Sequence, residues 1–595
     1  MSATQAPPAA ESVAPAARPA RGRAWTWVAV VLASLAAFVV LTWPLALHMD
    51  RIWTAYSTPD PGSNPAASYQ PDQLLTGDNL QNVFIQSVVV DNLRALRNPY
   101  LDLREGAAGP TPLKTTSLDL PWTALLALLW PVTGLQAAYN AGLLLSSVAT
   151  GVAAFAWLRR HTRWPLLAAA GALAYASTPH RMFQLTGHFN AVMWWAFPAA
   201  LLAFEVMLER HRAGRPWRWP AAGLAATTLT VAVGGEYHLI LYLTGLLGYL
   251  VVWALVAALA GRRSVPWAPA AVVMGCVALS VSYVLAAFAY VFRGDVQGSN
   301  GSYEPVSRYA PESVRWLVDR SQAVFDGRLV YVGWAVVIAA AIGLAAALIG
   351  RADRARPYAV LLVPLLLLTL GPAADVGPFR PYRFFFDHLP FLSFQRVPQR
   401  LMVLTSLVLV LLAVCGLDLV GTRLLAGRRR AAVLVAAAVV VAGTLLVLQD
   451  YVMARNLVMR DVDANRVVTV LRTDGDQAGP VLGLPVGKQT SPANSVATYV
   501  AALSRRQVLN AYNQTPAPWL PERLRRLAPL NKGRADPAAL KELRQAGTRQ
   551  VVVVNQPSVY RPGQWRSVVD QLVASGHFRV VASDGPLALL QLTDQ

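Results

Sequence analysis

The chain has 595 residues, of which 55% are hydrophobic and 14% are charged. Soluble domains carry about 25% charged residues, so this deficit excludes an ordinary soluble multidomain protein and indicates that lipid is part of the solvent. The formal net charge of +20 does not indicate a nucleic-acid partner, because the basic residues are mostly arginines in short clusters between apolar runs. Cys276 and Cys415 lie inside apolar runs and offer neither a disulfide framework nor a metal-ligand spacing.

Residues 1–24 are rich in alanine and proline, and we expect them to form a disordered, cytoplasmic N-terminus. Apolar runs long enough to cross about 30 Å of hydrocarbon then recur from Trp25 to about Gln449. Six arginine-rich short segments between these runs mark the cytoplasmic side. They predict about eleven transmembrane helices, which lie near residues 25–47, 137–158, 164–179, 190–208, 219–235, 238–260, 268–292, 328–349, 358–371, 401–421 and 431–449.

An odd number of crossings places the C-terminus outside the cytoplasm. The pattern therefore predicts an α-helical polytopic membrane protein with a transmembrane domain over residues 25–455, a first outer loop over residues 48–117, and an extracytoplasmic domain over residues 456–595. The apolar run at residues 118–131 is short, and counting it as a crossing would put five of the six arginine clusters outside. We expect it to be an interfacial or re-entrant helix.

In the C-terminal domain, the hydrophobic pattern changes from long apolar runs to shorter strand-like and helical patterns. Strand-like runs alternate there with helical stretches at 537–546 and 564–575, which predicts a small α/β domain. The strand-like runs are Val481 to Pro485, Gln550 to Val554 and Phe578 to Val581. The domain has neither of the glycine-rich motifs that bind nucleotide phosphates.

Two aspartates of the first outer region are candidate catalytic residues. Asp78 lies in the segment GDNLQN and precedes an amphipathic stretch, Val83 to Leu96, which predicts a helix on the membrane surface. Asp119 precedes the short apolar run. Each is a candidate acid, base or metal ligand, and each is equally a candidate helix N-cap. If the loop folds back, both carboxylates face one pocket.

Basic and polar residues gather in two short outer turns. His180, Arg181 and His188 lie within nine positions, and a histidine with an arginine suits a phosphate or pyrophosphate group. Glu236 and His238 follow Gly234 and Gly235 at the junction of two apolar runs, where an ionisable group is a functional candidate. The alternative for both turns is ordinary interfacial solvation.

The third outer loop ends in Arg396 and Arg400, which are four residues apart and follow the aromatic run Tyr382 to Phe386. Two such arginines at the membrane surface can grip a lipid phosphate while aromatic rings line the interface. Interfacial anchoring without catalysis is the alternative.

These passages resemble the GT-C superfamily of polyprenyl-phosphate-sugar-dependent glycosyltransferases, especially uncharacterised bacterial members related to the YfhO family. The resemblance rests on GDNLQN with its following helix, on Ala138-Tyr139-Asn140 through the turn with His180 and His188, and on RVPQR with its apolar run. It implies an inverting transfer of a sugar from a polyprenyl-phosphate carrier to an extracytoplasmic acceptor, a glycan, lipid or protein of the cell envelope, in the inner or plasma membrane.

By its position, Asp78 then matches the essential acidic residue of the family's first outer loop and would be the general base. The leaving lipid phosphate would be stabilised by Arg181, His188, Arg396 and Arg400. Many members have a further acidic motif in the second outer loop, but His180, Arg181 and His188 stand there in this chain. The participation of a divalent metal ion, Mg²⁺ or Mn²⁺, therefore stays open.

Two other functions fit the same pattern less well. A secondary transporter would have many spans with proline or glycine interruptions, but the span interiors hold few ionisable residues and no inverted repeat of hydropathy is present. A non-catalytic envelope scaffold would use the outer domain for a partner and the loop aspartates as helix caps.

Overall fold

The computed structural model describes residues 20–50, 52–56, 78–99, 101–102, 104, 111–112, 119–185, 192–259, 266–291, 303–319, 329–388, 397–424, 442–451, 457–461, 465–474, 479–487, 494–510, 520–556, 559–561 and 563–593. The predicted disordered N-terminus lies almost wholly outside these residues. Half of the first outer loop, residues 48–117, also lies outside them.

Long apolar helices make up the N-terminal three quarters of the described chain. These apolar runs contain few charges and are long enough to cross lipid. They form helices because a helix satisfies the backbone N–H and C=O groups without water. In chain order the helices are α1 (Ala20–Leu41), α2 (Asp78–Arg94), α3 (Leu120–Thr133), α4 (Leu135–Leu158), α5 (Pro165–Ala176), α6 (Pro179–Leu185), α7 (Ala196–Arg212), α8 (Arg218–Gly234), α9 (Glu236–Leu259), α10 (Trp267–Val291), α11 (Glu304–Tyr309), α12 (Trp334–Leu348), α13 (Arg356–Leu370), α14 (Pro381–His388), α15 (Met402–Leu424) and α16 (442–451).

Each predicted crossing coincides with a helix, although the last one is described only from residue 442 onward. Among the described residues, five helices are long and apolar enough to cross a membrane, at 24–41, 135–158, 239–256, 353–374 and 398–423. Further apolar helices of 10–17 residues lie at 120–133, 165–176, 267–283 and 334–348. The chain is a polytopic helical membrane protein, and the count of eleven crossings stays a prediction.

The membrane helices pack closely where glycines replace side chains. An ideal Cβ on Gly343 of α12 would lie 1.8 Å from the Leu412 carbonyl oxygen of α15, and one on Gly416 would lie 2.4 Å from the Ala339 oxygen. No side chain fits at such distances. Small residues are the usual means by which membrane helices approach backbone to backbone.

The C-terminal residues form a small α/β fold around a four-stranded sheet. Its strands are β5 (Val481–Leu484), β6 (Gln550–Val554), β7 (Phe578–Asp584) and β8 (Leu587–Leu592), in the order β5-β6-β8-β7. β5 and β6 are parallel, whereas β8 is antiparallel to β6 and to β7. The surrounding helices are α17 (Arg466–Thr473), α18 (Ser495–Ser504), α19 (Leu520–Leu527), α20 (Pro537–Gln545) and α21 (Gln564–Ala574).

The predicted strands and helices of this domain are confirmed, and β8 is an additional strand that the sequence interpretation missed. The first outer loop is joined to this part of the chain. Its strand β1 (Ile52–Tyr56) pairs antiparallel with β4 (Leu457–Asp461), and its short strands β2 (Leu101–Asp102) and β3 (Thr111–Pro112) pair with each other.

The structure buries α2 against two partners, which the amphipathic pattern did not indicate. Val83 and Val90 of α2 are fully buried in the main core of the membrane helices, while Phe84 and Val88 pack with Ala501 and neighbouring residues of α18. α2 is thus held between the membrane helices and the C-terminal domain, and its position at the membrane surface stays a prediction.

Candidate functional site

Helices α2 and α3 run side by side in the same direction. Near the start of α3 the Thr123 hydroxyl donates to the Gln86 side-chain oxygen, and further along Arg94 Nη2 donates to the Ala127 carbonyl at 3.0 Å. From the first contact to the second, the residue number increases along both helices, from Gln86 to Arg94 in α2 and from Thr123 to Ala127 in α3. The N-termini of α2 and α3 therefore lie at the same end. With a rise of about 1.5 Å per residue, α2 begins about 12 Å before Gln86, and Asp119 lies about 6 Å before Thr123.

Asp119 is fully buried, at 0% exposure. Its backbone has φ 43° and ψ 51°, the left-handed region that non-glycine residues adopt rarely and at functional sites more than elsewhere. Its amide donates to the Gly234 carbonyl at 2.8 Å, and its carbonyl accepts from the Thr123 amide at 2.8 Å. Asp119 stands at the N-cap position of α3, but its side chain forms no capping hydrogen bond.

Residues from three other segments surround the Asp119 carboxylate. An ideal Cβ on Gly234 would lie 3.4 Å from Asp119 Oδ1 and 3.2 Å from Met193 Cε, so glycine leaves room for the carboxylate. The Tyr139 hydroxyl is close enough to Asp119 for an electrostatic interaction. We call Asp119, Tyr139, Met193 and Gly234 the Asp119 junction.

Two helices begin at this junction: α3 starts directly after Asp119, and α9 starts at Glu236, two residues after Gly234. Helix α2 starts at Asp78, at the same end of the α2–α3 pair. The N-terminus of a helix carries a partial positive charge and unsatisfied N–H groups. Their convergence favours an ionised carboxylate and an anionic group of a ligand.

Arg181 is fully buried and is held by neutral oxygens. Nη1 donates to Ser147 Oγ and to the Ala176 carbonyl, each at 2.9 Å, and Nη2 donates to Ser146 Oγ at 2.9 Å. No carboxylate lies within ion-pair distance of it among the described residues. Burial lowers the pKa of Arg181 to about 9, so the group is still positive at neutral pH. These contacts favour a fixed source of positive potential over a direct grip on a phosphate.

Residues 192–194 connect Arg181 and His180 with the Asp119 junction. The Val192 carbonyl accepts from Ser146 at 2.8 Å, and the next residue, Met193, reaches Gly234. The Trp194 ring stacks on His180 with 6.0 Å between centroids. His180 Nδ1 lies 2.6 Å from the Leu329 carbonyl and donates to it, so this histidine ties α6 to the outer loop before α12.

The structure describes the remaining predicted site residues to different extents. The helices that contain Asp78, Glu236 and His238 are described but those side chains are not, and His188 and Arg396 lie outside the described residues. Arg400 is partly buried in a 3-10 turn at Pro398–Leu401. That turn is near Tyr175, which donates to the Val403 carbonyl at 3.2 Å and stacks on Trp194.

Sequence reasoning did not single out Met193, Trp194, Ser146 or Ser147. They lie inside apolar runs, where serine, methionine and tryptophan are ordinary. Gly234 was the available signal, because a Gly-Gly pair before an ionisable residue indicates close backbone geometry. No group of three or more histidine, cysteine or acidic side chains that would hold a metal ion occurs within the described part of the chain.

No protein-family model matches the chain, and no curated protein is similar to it. Solved structures do match. Arabinofuranosyltransferase AftD from Mycobacteria is 17% identical with a TM-score of 0.50 over 96% of this chain and 42% of its own. The Archaeoglobus fulgidus oligosaccharyltransferase tethered with an acceptor peptide is 10% identical with a TM-score of 0.50, over 97% of this chain and 74% of its own.

This chain has the GT-C fold. ArnT from Cupriavidus metallidurans bound to undecaprenyl phosphate also matches, with 13% identity and a TM-score of 0.45, over 97% of this chain and 99% of its own. The two structures with a TM-score of 0.50 confirm the expected GT-C resemblance at the level of the fold. The chain spans less than half of the length of AftD.

Proposed function

We propose that the chain is an inverting glycosyltransferase that moves a sugar from a polyprenyl-phosphate carrier to a glycan, lipid or protein acceptor outside the cytoplasm. The observation that carries this proposal is the Asp119 junction. It places a buried carboxylate in a rare backbone conformation where helix N-termini converge, on a GT-C scaffold.

In the reaction, the acceptor hydroxyl oxygen attacks the anomeric carbon of the sugar, and the bond from that carbon to the phosphate oxygen breaks. The hydroxyl proton passes to a carboxylate, and the lipid phosphate leaves with the bonding electrons. By family position Asp78 is the base, and Asp119 orients the acceptor hydroxyl beside it. The parallel course of α2 and α3 supports this pairing, because it puts both residues at one end of the helix pair.

The departing phosphate develops negative charge that fixed positive groups stabilise. The N-termini of α2, α3 and α9 supply N–H groups for this purpose, and Arg181 adds a positive potential from within the protein. His180, His188, Glu236, His238, Arg396 and Arg400 stay proposed ligands of the donor from the sequence. A site poor in water strengthens all of these interactions.

A divalent ion is compatible with this arrangement. Magnesium in phosphate-handling sites is usually held by one or two carboxylates together with the substrate phosphates, and Asp119 and Asp78 are the residues that would hold it. When bound, the ion would neutralise phosphate charge. A chelator titration of the transfer reaction measures whether this contribution is needed.

The test uses the purified full-length protein in lipid nanodiscs with a panel of radiolabelled polyprenyl-phosphate sugars and a cell-envelope extract as acceptor. We expect one donor to be consumed with release of polyprenyl phosphate, and the linkage in the product to have the opposite anomeric configuration by nuclear magnetic resonance. Heat-unfolded protein is the control. A folded protein that consumes no donor of the panel, or a product with retained configuration, contradicts the proposal.

A further inference from the structure

Four arginines occupy the turn where α7 ends and α8 begins, residues 210–218, which we call the arginine turn. All four side chains are exposed, namely Arg210, Arg212, Arg215 and Arg218. The sequence contains no aspartate or glutamate from residue 210 to residue 235, and the carboxylate just before the turn, Glu209, is bonded to Arg160. The arginine turn therefore carries a concentrated positive charge that its own segment does not neutralise.

The arginine turn lies far from the Asp119 junction. α8 runs from Arg218 in the turn to Gly234 in the junction, and at a rise of about 1.5 Å per residue this separates the two by about 24 Å. The proposed sugar transfer uses no residue of the turn. A signal for membrane topology needs only the charges, whereas the structure also fixes their positions.

The backbone of the arginine turn is held by hydrogen bonds. The Arg215 amide donates to the Arg210 carbonyl at 2.8 Å, and Gly214 has φ 63°, the left-handed conformation in which glycine commonly ends a helix. The Arg212 guanidinium lies 5.1 Å from the centroid of the Trp253 ring in α9. The turn thus presents its charges from a defined structure at the end of α7, α8 and α9.

Two exposed tryptophans lie beside the turn. Trp219 of α8 is 73% exposed and Trp267 of α10 is 77% exposed. α9 turns back along α8 and α10 follows it closely in the chain, so α8 and α10 begin at the same end. The side chains of Thr228 and Cys276 interact, and each lies nine positions after the tryptophan of its helix. The two rings are therefore at about the same level, as is typical of the membrane–water boundary.

Beyond the tryptophans, the outward faces of α8 and α10 are apolar. Ala222, Ala226 and Leu229 are exposed at helical spacing along α8, and Met274 and Leu279 are exposed on α10. In a polytopic membrane protein such faces contact hydrocarbon. From lipid to water, a ligand at this place meets an apolar surface, then two indole rings, then arginines. A ligand that fits this order has hydrocarbon chains and an anionic headgroup.

We propose that the arginine turn and the adjoining ends of α8 and α10 bind an acidic phospholipid. Its phosphate accepts hydrogen bonds from Arg215 and Arg218, its glycerol region lies beside Trp219 and Trp267, and its acyl chains lie along the apolar faces of the two helices. Basic sites between membrane helices suit acidic headgroups, and hydrogen bonds between charged groups are about twice as strong as neutral ones. A zwitterionic lipid adds a cation, which the four arginines repel.

The experiment is native mass spectrometry of the delipidated full-length protein with equal amounts of phosphatidylglycerol and phosphatidylcholine. We expect the wild type to retain phosphatidylglycerol about tenfold better, and the double variant Arg215→Gln/Arg218→Gln to retain the two lipids within about twofold of each other. The control, Arg525→Gln/Arg579→Gln, removes two charges at exposed positions of the C-terminal domain. It should keep the wild-type preference.

Thermal unfolding without lipid checks that each variant is folded. If the double variant is unstable, Arg215→Gln alone decides the matter, because Arg215 lies in the turn outside both helices, and it should lower the preference by about threefold. Equal retention of both lipids by the wild type, an unchanged preference in the Arg215 variants, or the same loss in the control overturns the proposal. Inorganic phosphate should not displace the lipid. If it does, the arginines bind a soluble anion and the assignment to a lipid is wrong.

Discussion

Asp119 is fully buried, has a left-handed backbone conformation, and lies at the N-terminus of α3. A carboxylate in such a place is unfavourable for folding unless its surroundings stabilise it, since burial of an ionised group is costly and positive φ adds strain of about 1–3 kcal/mol. The positive ends of α3 and α9 offset part of this cost, and the backbone hydrogen bonds to Gly234 and Thr123 hold the conformation. The conformation is thus maintained by the packing of α2, α3, α8 and α9 together.

At the residue scale, the room that Gly234 leaves for Asp119 can be tested. Gly234→Val places methyl groups against Asp119 Oδ1 and Met193, whose nearest atoms already lie 3.4 and 3.2 Å from an ideal Cβ. We expect kcat for sugar transfer to fall by about tenfold or more, because small displacements of reacting groups reduce rates strongly. The matched control is Gly223→Val in the same helix, where nothing lies within 4 Å. Equal losses in both variants would show that helix propensity, and not the junction, is responsible.

At the element scale, the C-terminal domain holds the helix pair α2 and α3 in place. The Trp130 ring of α3 is in cation–π contact with Arg94, at 5.2 Å from the ring centroid, and with Arg505, at 5.5 Å. The Val508 amide donates to the Arg104 carbonyl of the first outer loop at 2.9 Å. The domain therefore supports the site and is more than an appended module.

We expect Ala501→Asp to loosen this support. Ala501 packs against α2 and has 0% solvent exposure. A carboxylate at this position would therefore be buried without a partner. Hydrogen exchange of the α2 amides should increase and transfer should slow, while exchange in the strands β6 and β8 stays as in the wild type. The control is Ala574→Asp, at an exposed helix end of the same domain. Unchanged exchange in α2 would show that the interface is not structurally important.

The positions of the helices could be predicted from the sequence, whereas the elements against which each helix packs could not. Apolar runs of sufficient length located α4, α9 and α15, since membrane solvent imposes this pattern directly. The burial of α2 was not predictable, because its second partner is α18, several hundred residues later. For the same reason Asp119 was recognised as a candidate, but its contact with Gly234 was not.

At the scale of the whole molecule, orientation follows from the arginine clusters and stays a prediction. Both native cysteines are buried, so single cysteines can report the side of the membrane. A membrane-impermeant maleimide should label Ser575→Cys in right-side-out vesicles, and it should label Ala213→Cys only after permeabilisation. Ser575 and Ala213 are both exposed. The reverse pattern would place the C-terminal domain in the cytoplasm.

The most direct test of the account is the effect of Asp119→Asn on sugar transfer by the purified protein. The change keeps the size of the side chain and removes its charge. We expect kcat/KM to fall by about 100-fold, because Asp119 orients the acceptor hydroxyl and a small misplacement of a reacting group costs a factor of about this size. Asp387→Asn, an exposed aspartate paired with Arg383 at 2.7 Å, should leave transfer unchanged. A folded Asp119→Asn protein that transfers sugar within about twofold of the wild type would contradict the assignment of the active centre.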